Sequence, residues 1–212
     1  MKTNIKILFV IVLFLESALT IVQAGNSKKQ KIFSSSDAVN WEYIIKDASL
    51  NPQDVFKMDN GTLKISGISS GYLRTKKSYS NYTLKLEWRW TKSLGNSGVL
   101  VHIQPKDTIW PVCFQVQQKE DAAGDIICMN GVWARECTDS VKFTVMKMNA
   151  SNEKTLGEWN AMKVICKKSS ITVFVNGVLQ NKISGLTVNK GYIGFQNEGI
   201  PIEFRNVIIS KL

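Results

Sequence analysis

Apolar and polar residues alternate with a period of two along most of the chain. Residues 82–90 set Leu84, Leu86, Trp88 and Trp90 against Lys85, Glu87 and Arg89. Residues 98–104 set Val99, Val101 and Ile103 against Leu100, His102 and Gln104, and residues 112–117 set Val112, Phe114 and Val116 against Cys113, Gln115 and Gln117. Runs at 171–177, 191–199 and 202–210 continue the pattern. Short alternating runs rich in β-branched and aromatic residues predict half-buried strands. Asn-Gly pairs at 60–61, 130–131 and 176–177 stand between such runs, and this dipeptide readily takes the positive φ angles of a tight hairpin turn. Asn96 and Gly98 mark another turn, ahead of the strand that carries His102, the single histidine. No stretch sustains a 3.6-residue apolar period with caps, so little helix is expected. About a dozen short strands in one domain predict an all-β sandwich of two antiparallel sheets.

The first 24 residues read differently. Lys2 and Lys6 precede an apolar run from Ile7 to Leu15, and Val22-Gln23-Ala24 offers small residues for cleavage. This is the order of a secretory signal. The run falls short of the roughly 20 apolar residues that a membrane span needs, and Glu16 interrupts it. The expected organisation is a signal at 1–24, a polar lead-in at 25–36 and one domain at 37–212. The protein is then exported, periplasmic or extracellular, with no stable membrane insertion.

The formal net charge is +10. The basic residues are scattered along the chain apart from Lys28, Lys29 and Lys31, whereas a nucleic-acid reader concentrates them on one element. No nucleic-acid partner is therefore expected, and an affinity for acidic polymers stays open. The four cysteines, Cys113, Cys128, Cys137 and Cys166, match no zinc spacing. Disulfides are compatible with export, Cys128 with Cys137 among them, and so are free buried thiols.

Each sheet of a sandwich turns one face to the core and the other outward. Sequential strands commonly neighbour one another, which places Lys85, Glu87, Arg89, His102, Gln104, Gln115 and Gln117 on one surface. Gln196 and Glu198 share the parity, and Asp125 follows closely. Trp110, Trp133 and Tyr72 stand near strand ends, where rings stack well on a sugar. An alternating polar face is by default a solvated one, but glutamines and a lone histidine among apolar neighbours are less usual there than Lys, Thr, Ser or Glu.

The segments YLRTKKSYSNYTLKLEWRW, GNSGVLVHI, WPVCFQVQ and GDI, with GEWNAMKVICKKSSITVFVNG and KGYIGFQNEGIPIEFRNVIISKL, resemble the 3-keto-disaccharide hydrolase domain family from about Trp41 to Leu212. The most specific pieces are Glu87-Trp88-Arg89, Asn96-Ser97-Gly98, Gly157-Glu158-Trp159-Asn160 and Phe204-Arg205-Asn206. The resemblance implies a concanavalin-like jelly roll with the site on a concave sheet, and hydrolysis of glycosides whose sugar carries a 3-ketone. Glu87, Arg89, Asn96, Gln117 and Asp125 match the family's recurrent polar positions. Many relatives carry glutamate where this chain has Gln115, and histidine where it has Glu198.

Two routes of cleavage follow. An ordinary glycosidase pairs two carboxylates about 5 to 9.5 Å apart, for which Glu87 with Glu198 or Asp125 is the candidate pair. A 3-keto sugar also permits elimination, because the carbonyl acidifies the C2 hydrogen. That route assigns Glu87 or His102 as base, with Arg89 and Asn96 at the developing oxyanion. The catalytic candidates are thus Glu87, His102 and Arg89. Asn96, Gln115, Gln117, Asp125, Gln196, Glu198 and Trp110 are candidates for binding an oligosaccharide or 3-keto-glycoside. A divalent cation could serve as the stabiliser, and the cofactor is left open. The rival readings are a non-catalytic carbohydrate-binding module, favoured by Gln115, and a surface protein whose sheet meets another protein.

Overall fold

A computed structural model of the protein describes residues 29–32 and 41–212. The expected signal at 1–24 lies outside the described residues. Two antiparallel sheets stack face to face. The seven-stranded sheet runs, in spatial order, β10 (Thr144–Val145), β9 (Ile126–Met129), β8 (Cys113–Gln117), β7 (Gly98–Ile103), β14 (Tyr192–Asn197), β5 (Gly71–Thr75) and β2 (Trp41–Ile45). The eight-stranded sheet runs β13 (Val178–Ser184), β12 (Ser170–Val175), β11 (Asn160–Lys167), β6 (Tyr82–Trp90), β15 (Ile202–Lys211), β4 (Thr62–Ile65) and β3 (Phe56–Asp59), with β1 (Lys29–Lys31) also paired to β15. Part of the expected lead-in is therefore a strand, and Ile32 joins the core. The one helix among the described residues is Pro52–Val55, capped by Asn51.

The alternation fixes which side of each strand is buried between the sheets. Leu84, Leu86, Trp88 and Trp90 point inward from β6, and Val99, Val101, Phe114 and Val116 point inward from β7 and β8. Phe195 of β14 meets Phe204 of β15 across the sandwich at 5.0 Å between ring centroids. Burying a large aromatic or aliphatic side chain is worth about 1.5–3 kcal/mol, so this layer is the main source of stability. Two of the three Asn-Gly pairs close hairpins: Asn60-Gly61 joins β3 to β4 and Asn176-Gly177 joins β12 to β13, with positive φ at both residues of each pair. Asn130-Gly131 has the same backbone signs but ends β9 and opens a long segment before β10. Asn96 and Gly98 do not form the expected turn. Neither takes a positive φ, and Gly98 is the first residue of β7.

The connection from β6 to β7 crosses from one sheet to the other. In the eight-stranded sheet β6 lies between β11 and β15, while β7 lies between β8 and β14. Of the three strands expected to be adjacent, β7 and β8 do pair, but β6 lies in the other sheet, and this separates the candidate residues.

Candidate functional site

The outer face of the seven-stranded sheet carries an unusual layer: its side chains are buried although no second sheet covers them. Tyr72, Leu100, Ile103 and Cys113 form a small apolar cluster there, separate from the main core. Beside it runs a polar row. Tyr72 on β5 lies opposite Gln196 on β14, and Gly98 on β7 lies opposite Gln117 on β8. Gln117 in turn donates its backbone N–H to Asp125 at 2.9 Å. The side chains of Gln196, Gln115 and Gln117 are 2%, 3% and 7% exposed.

Gln115 ties the row together. Its amide nitrogen donates to Gln117 Oε1 at 2.6 Å and to Gln196 Oε1 at 2.9 Å. Both acceptor oxygens are thereby occupied, which leaves the amide N–H groups of Gln117 and Gln196 as donors for another molecule. Gly98 makes room for this arrangement, because a Cβ there would stand 2.5 Å from Gln115 Cγ. Next to the row, Asn96 Nδ2 donates to Glu198 Oε2 at 2.8 Å. Burial pushes the Glu198 carboxyl above its ordinary value, opposed by that hydrogen bond and by Lys119. Burial likewise raises Asp125, against the Lys147 backbone N–H that it accepts at 2.7 Å.

The other end of the face is charged and walled. Arg74 of β5, 7% exposed, pairs with Glu42 of β2 and with Asp107, whose Oδ1 lies 3.0 Å from Nη2. Its guanidinium sits 4.1 Å from the centroid of the Tyr192 ring. Asp107 belongs to the loop after β7, so that loop crosses over β14 to reach β5. The Tyr72 hydroxyl, Arg74 Nε and Nη1, and Asn96 Oδ1 are all buried with no partner among the described residues. Unmet buried polar atoms are few in folded proteins and cost about 1–3 kcal/mol each. Four of them lie on this face, and others lie away from it, among them Gln118 Oε1 and Gln180 Oε1. Cavities of about 380 and 590 Å³ lie elsewhere, at Lys85–Phe174 and at Tyr79–Tyr82, and the polar row, a shelf on the outer face, lines neither.

Residues 28–210 match the 3-keto-α-glucoside-1,2-lyase-like domain. The chain belongs to this family. No curated protein matches it. Among solved structures it is similar to a candidate glycosyl hydrolase from Parabacteroides distasonis ATCC 8503, with 22% identity over 87% of this chain and 100% of that one and a TM-score of 0.65. A carbohydrate-binding module from Bacillus subtilis shares 9% identity over 81% of this chain and 96% of its own, with a TM-score of 0.60. The Bacillus licheniformis β-glucanase shares 12% over 90% and 100%, with a TM-score of 0.58. The fold is thus the concanavalin-like jelly roll, shared by enzymes and binding modules.

The 3-keto-α-glucoside-1,2-lyase-like domain of this protein distributes its motifs over both sheets. Asn96 and Gly98 belong to the shelf, as do Gln115, Gln117, Asp125, Gln196 and Glu198. Glu87 and Arg89 do not, which corrects the expected placement. They lie on the outer face of the other sheet, because β6 pairs with β11 and β15 there. Glu87 accepts from Arg205 Nε at 2.7 Å, Arg89 donates to Glu203 at 2.8 Å, and both guanidinium groups lie over Trp159, at 4.6 Å for Arg89 and 3.9 Å for Arg205. Glu87-Trp88-Arg89, Trp159 and Phe204-Arg205-Asn206 are therefore pieces of one packed cluster.

His102 is corrected too. It lies at a bulge, where β7 sets two residues against Ile193 alone, and takes φ 56°. The extra residue turns its ring into the core, fully buried, edge-on to Tyr82 at 6.1 Å and to Phe114 at 6.4 Å. Burial pushes its pKa down to about 4, slightly opposed by the Val188 backbone. It reaches no ligand. Trp110 lies in the β7–β8 loop, 42% exposed, at the Cys113 end of β8 and away from Asn96 and Glu198. The cysteines are buried free thiols, and burial with a hydrogen bond to Cys137 pushes Cys128 up to about 12. Among the described residues no three His, Cys, Asp or Glu side chains gather as metal ligands. Arg74 and its partners Glu42 and Asp107 were missed by sequence reasoning. The alternation of Tyr72, Leu73 and Arg74 was the available signal.

Proposed function

We propose that the protein is an exported enzyme that cleaves glycosides of 3-keto sugars by elimination and hydration on the outer face of the seven-stranded sheet. The observation that carries this reading is the polar shelf itself, with Glu198 held by Asn96 beside the donor groups of Gln196 and Gln117. Family membership supports the choice of substrate, and the signal-like residues 1–24 support export.

Glu198 is the base. Its carboxyl, raised by burial, is a stronger proton acceptor than an ordinary carboxylate once ionised. It takes the C2 proton, and the C2–H electron pair moves into the C3 carbonyl to form an enolate. Amide N–H groups of Gln196 and Gln117 stabilise the oxyanion as preorganised donors. The C3 carbonyl then re-forms, a C1–C2 double bond appears, and the C1–O bond breaks. Its electron pair leaves on the glycosidic oxygen, which is protonated by water on the shelf. Addition of water places hydroxyl on C1 and a proton on C2, so the net change is hydrolysis. Paired-carboxylate displacement is less well supported. Asp125 immediately precedes β9 and Glu198 follows β14, with β8 and β7 between those strands, so the two backbones are about 14 Å apart at three strand spacings.

The test is release of aglycone from a 3-keto-glucoside and from its unoxidised parent. Cleavage of the keto form alone, with a slower reaction when C2 carries deuterium, is the expected result. Equal cleavage of the parent overturns the elimination route. Binding of the keto sugar without turnover would favour a carbohydrate-binding module, the reading to which Gln115, an amide that cannot serve as base, lends weight.

A further inference from the structure

We infer that the outer face of the eight-stranded sheet binds an anionic polysaccharide, centred on Lys85 and Lys163. The basic residues look scattered in sequence, yet the strand alternation gathers many of them here. Three carboxylates share the face, and each is already paired: Asp59 with Lys64, Glu87 with Arg205, and Glu203 with Arg89, all at 2.7 Å. Lys57, Lys85, Lys163, Lys167 and Lys182 have no carboxylate within ion-pair distance among the described residues. The edge strand β1 brings Lys29 and Lys31 to the same side, opposite Ser210 and Ile208. The face therefore holds a positive charge that the fold does not neutralise.

Lys85 and Lys163 sit directly opposite each other on β6 and β11. Like charges so placed are destabilising unless a counter-charge arrives. They also border a cavity of about 380 Å³, lined further by Phe174, Asn206, Ile208 and Glu87, whose carboxylate is held by Arg205, within the size range of ligand sites. A polyanion is the complement of this surface. Nucleic acid fits it less well, because single strands stack their bases on free aromatic faces. Here two guanidinium groups cover Trp159, and Lys163 covers Phe174 at 3.8 Å from its ring centroid. A lipid surface also fits less well, since the exposed side chains Trp133, Phe143, Met146 and Met148 lie off this sheet. The choice of a glycan among polyanions rests on the sugar-acting reading of the opposite face. On that reading, this face tethers the enzyme to a charged glycan while the shelf stays free.

The experiment measures binding to polygalacturonate, to neutral dextran, to DNA and to phosphatidylglycerol vesicles, for the protein and for the double variant Lys85→Gln/Lys163→Gln. Polygalacturonate binding that falls with salt, weakens about tenfold in the variant and exceeds binding to the other three is expected. Melting temperature does not fall in the variant, since a like-charge pair has been removed, and 3-keto-glucoside cleavage stays unchanged. Unaltered affinity in the variant, equal binding to dextran, or tighter binding to DNA or vesicles overturns the proposal. Polygalacturonate binding without cleavage of the 3-keto-glucoside would remove the proposed function and leave this face standing; cleavage without polyanion binding would do the reverse.

Discussion

The two outer faces of the sandwich are built from the same alternation and end in opposite states. On the eight-stranded sheet, the charged groups that pair do so with one another: Glu87 with Arg205, Glu203 with Arg89, two cations over Trp159. On the seven-stranded sheet, polar atoms are buried yet left without partners, at Tyr72, Arg74 and Asn96. A carboxylate engaged in a partly exposed ion pair and ring stack holds a surface together. A carboxylate desolvated beside unused donors is available to another molecule. The type of residue does not separate these cases; the company it keeps does.

The sharpest way to break the comparison is to make one substitution on each face. Glu198→Gln removes the base and is expected to lower 3-keto-glucoside turnover by about 10²–10⁴-fold, the usual worth of a general base. Glu87→Gln is expected to leave turnover within about twofold and to cost roughly 1 kcal/mol or less in a denaturant melt, as for other partly exposed ion pairs. The reverse ranking would return the catalytic role to Glu87. Because burial raises the Glu198 carboxyl, the acid limb of the rate profile should lie above the ordinary glutamate value of 4.5. Activity then declines as pH falls through that limb, and the limb disappears in Glu198→Gln.

The core between the faces offers the next effect. His102 is neutral when folded, while the unfolded chain binds a proton at about pH 6.5. As pH falls from about 6.5 toward about 4, the unfolded state takes up a proton that the folded state refuses, so stability is lost across that window. The full loss is about 3 kcal/mol. His102→Asn, which tolerates the positive φ, should flatten the profile of urea midpoints against pH. A profile unchanged by the substitution would place the titration elsewhere.

Two smaller effects sharpen the contrast. Gly98→Ala would drive a methyl into Gln115, costing about 1–3 kcal/mol as overpacking does, and would also weaken ligand binding, because the glutamine network must move. Trp159→Ala removes the ring beneath two guanidinium groups and should cost about 1–2 kcal/mol with little change in turnover. If Trp159→Ala abolished activity while Gly98→Ala did not, the faces would have been assigned the wrong way round.

Much of the fold could be read before the structure. Period-two alternation and Asn-Gly turns carry the information for strands and hairpins, and they identify the inward residues of β6, β8 and β12. Most binding candidates, from Asn96 to Glu198, also fell on one face, because strand parity is local. What alternation cannot supply is which strands are neighbours. The crossing from β6 to β7 is set by packing of the whole sandwich, and it carried Glu87 and Arg89 to the far side. His102 was misplaced for a different reason, since parity holds only while the ladder has no extra residue. The charge pattern was hidden by the same geometry: lysines distant in sequence, such as Lys85 and Lys163, become neighbours only when β6 and β11 pair.

The bulge at His102 acts on β7 as a one-letter insertion acts on a reading frame. Upstream of it, odd-numbered residues Val99 and Val101 face the core; downstream, Ile103 faces outward with Tyr72 and Leu100. Everything after it in the β7–β8 loop, including the reach of Asp107 to Arg74, inherits the shifted phase. Removing that one residue would close the frame again: Ile103, then two positions from Leu100, would keep its outward place opposite Tyr192, and the core would lose the ring packed against Tyr82 and Phe114.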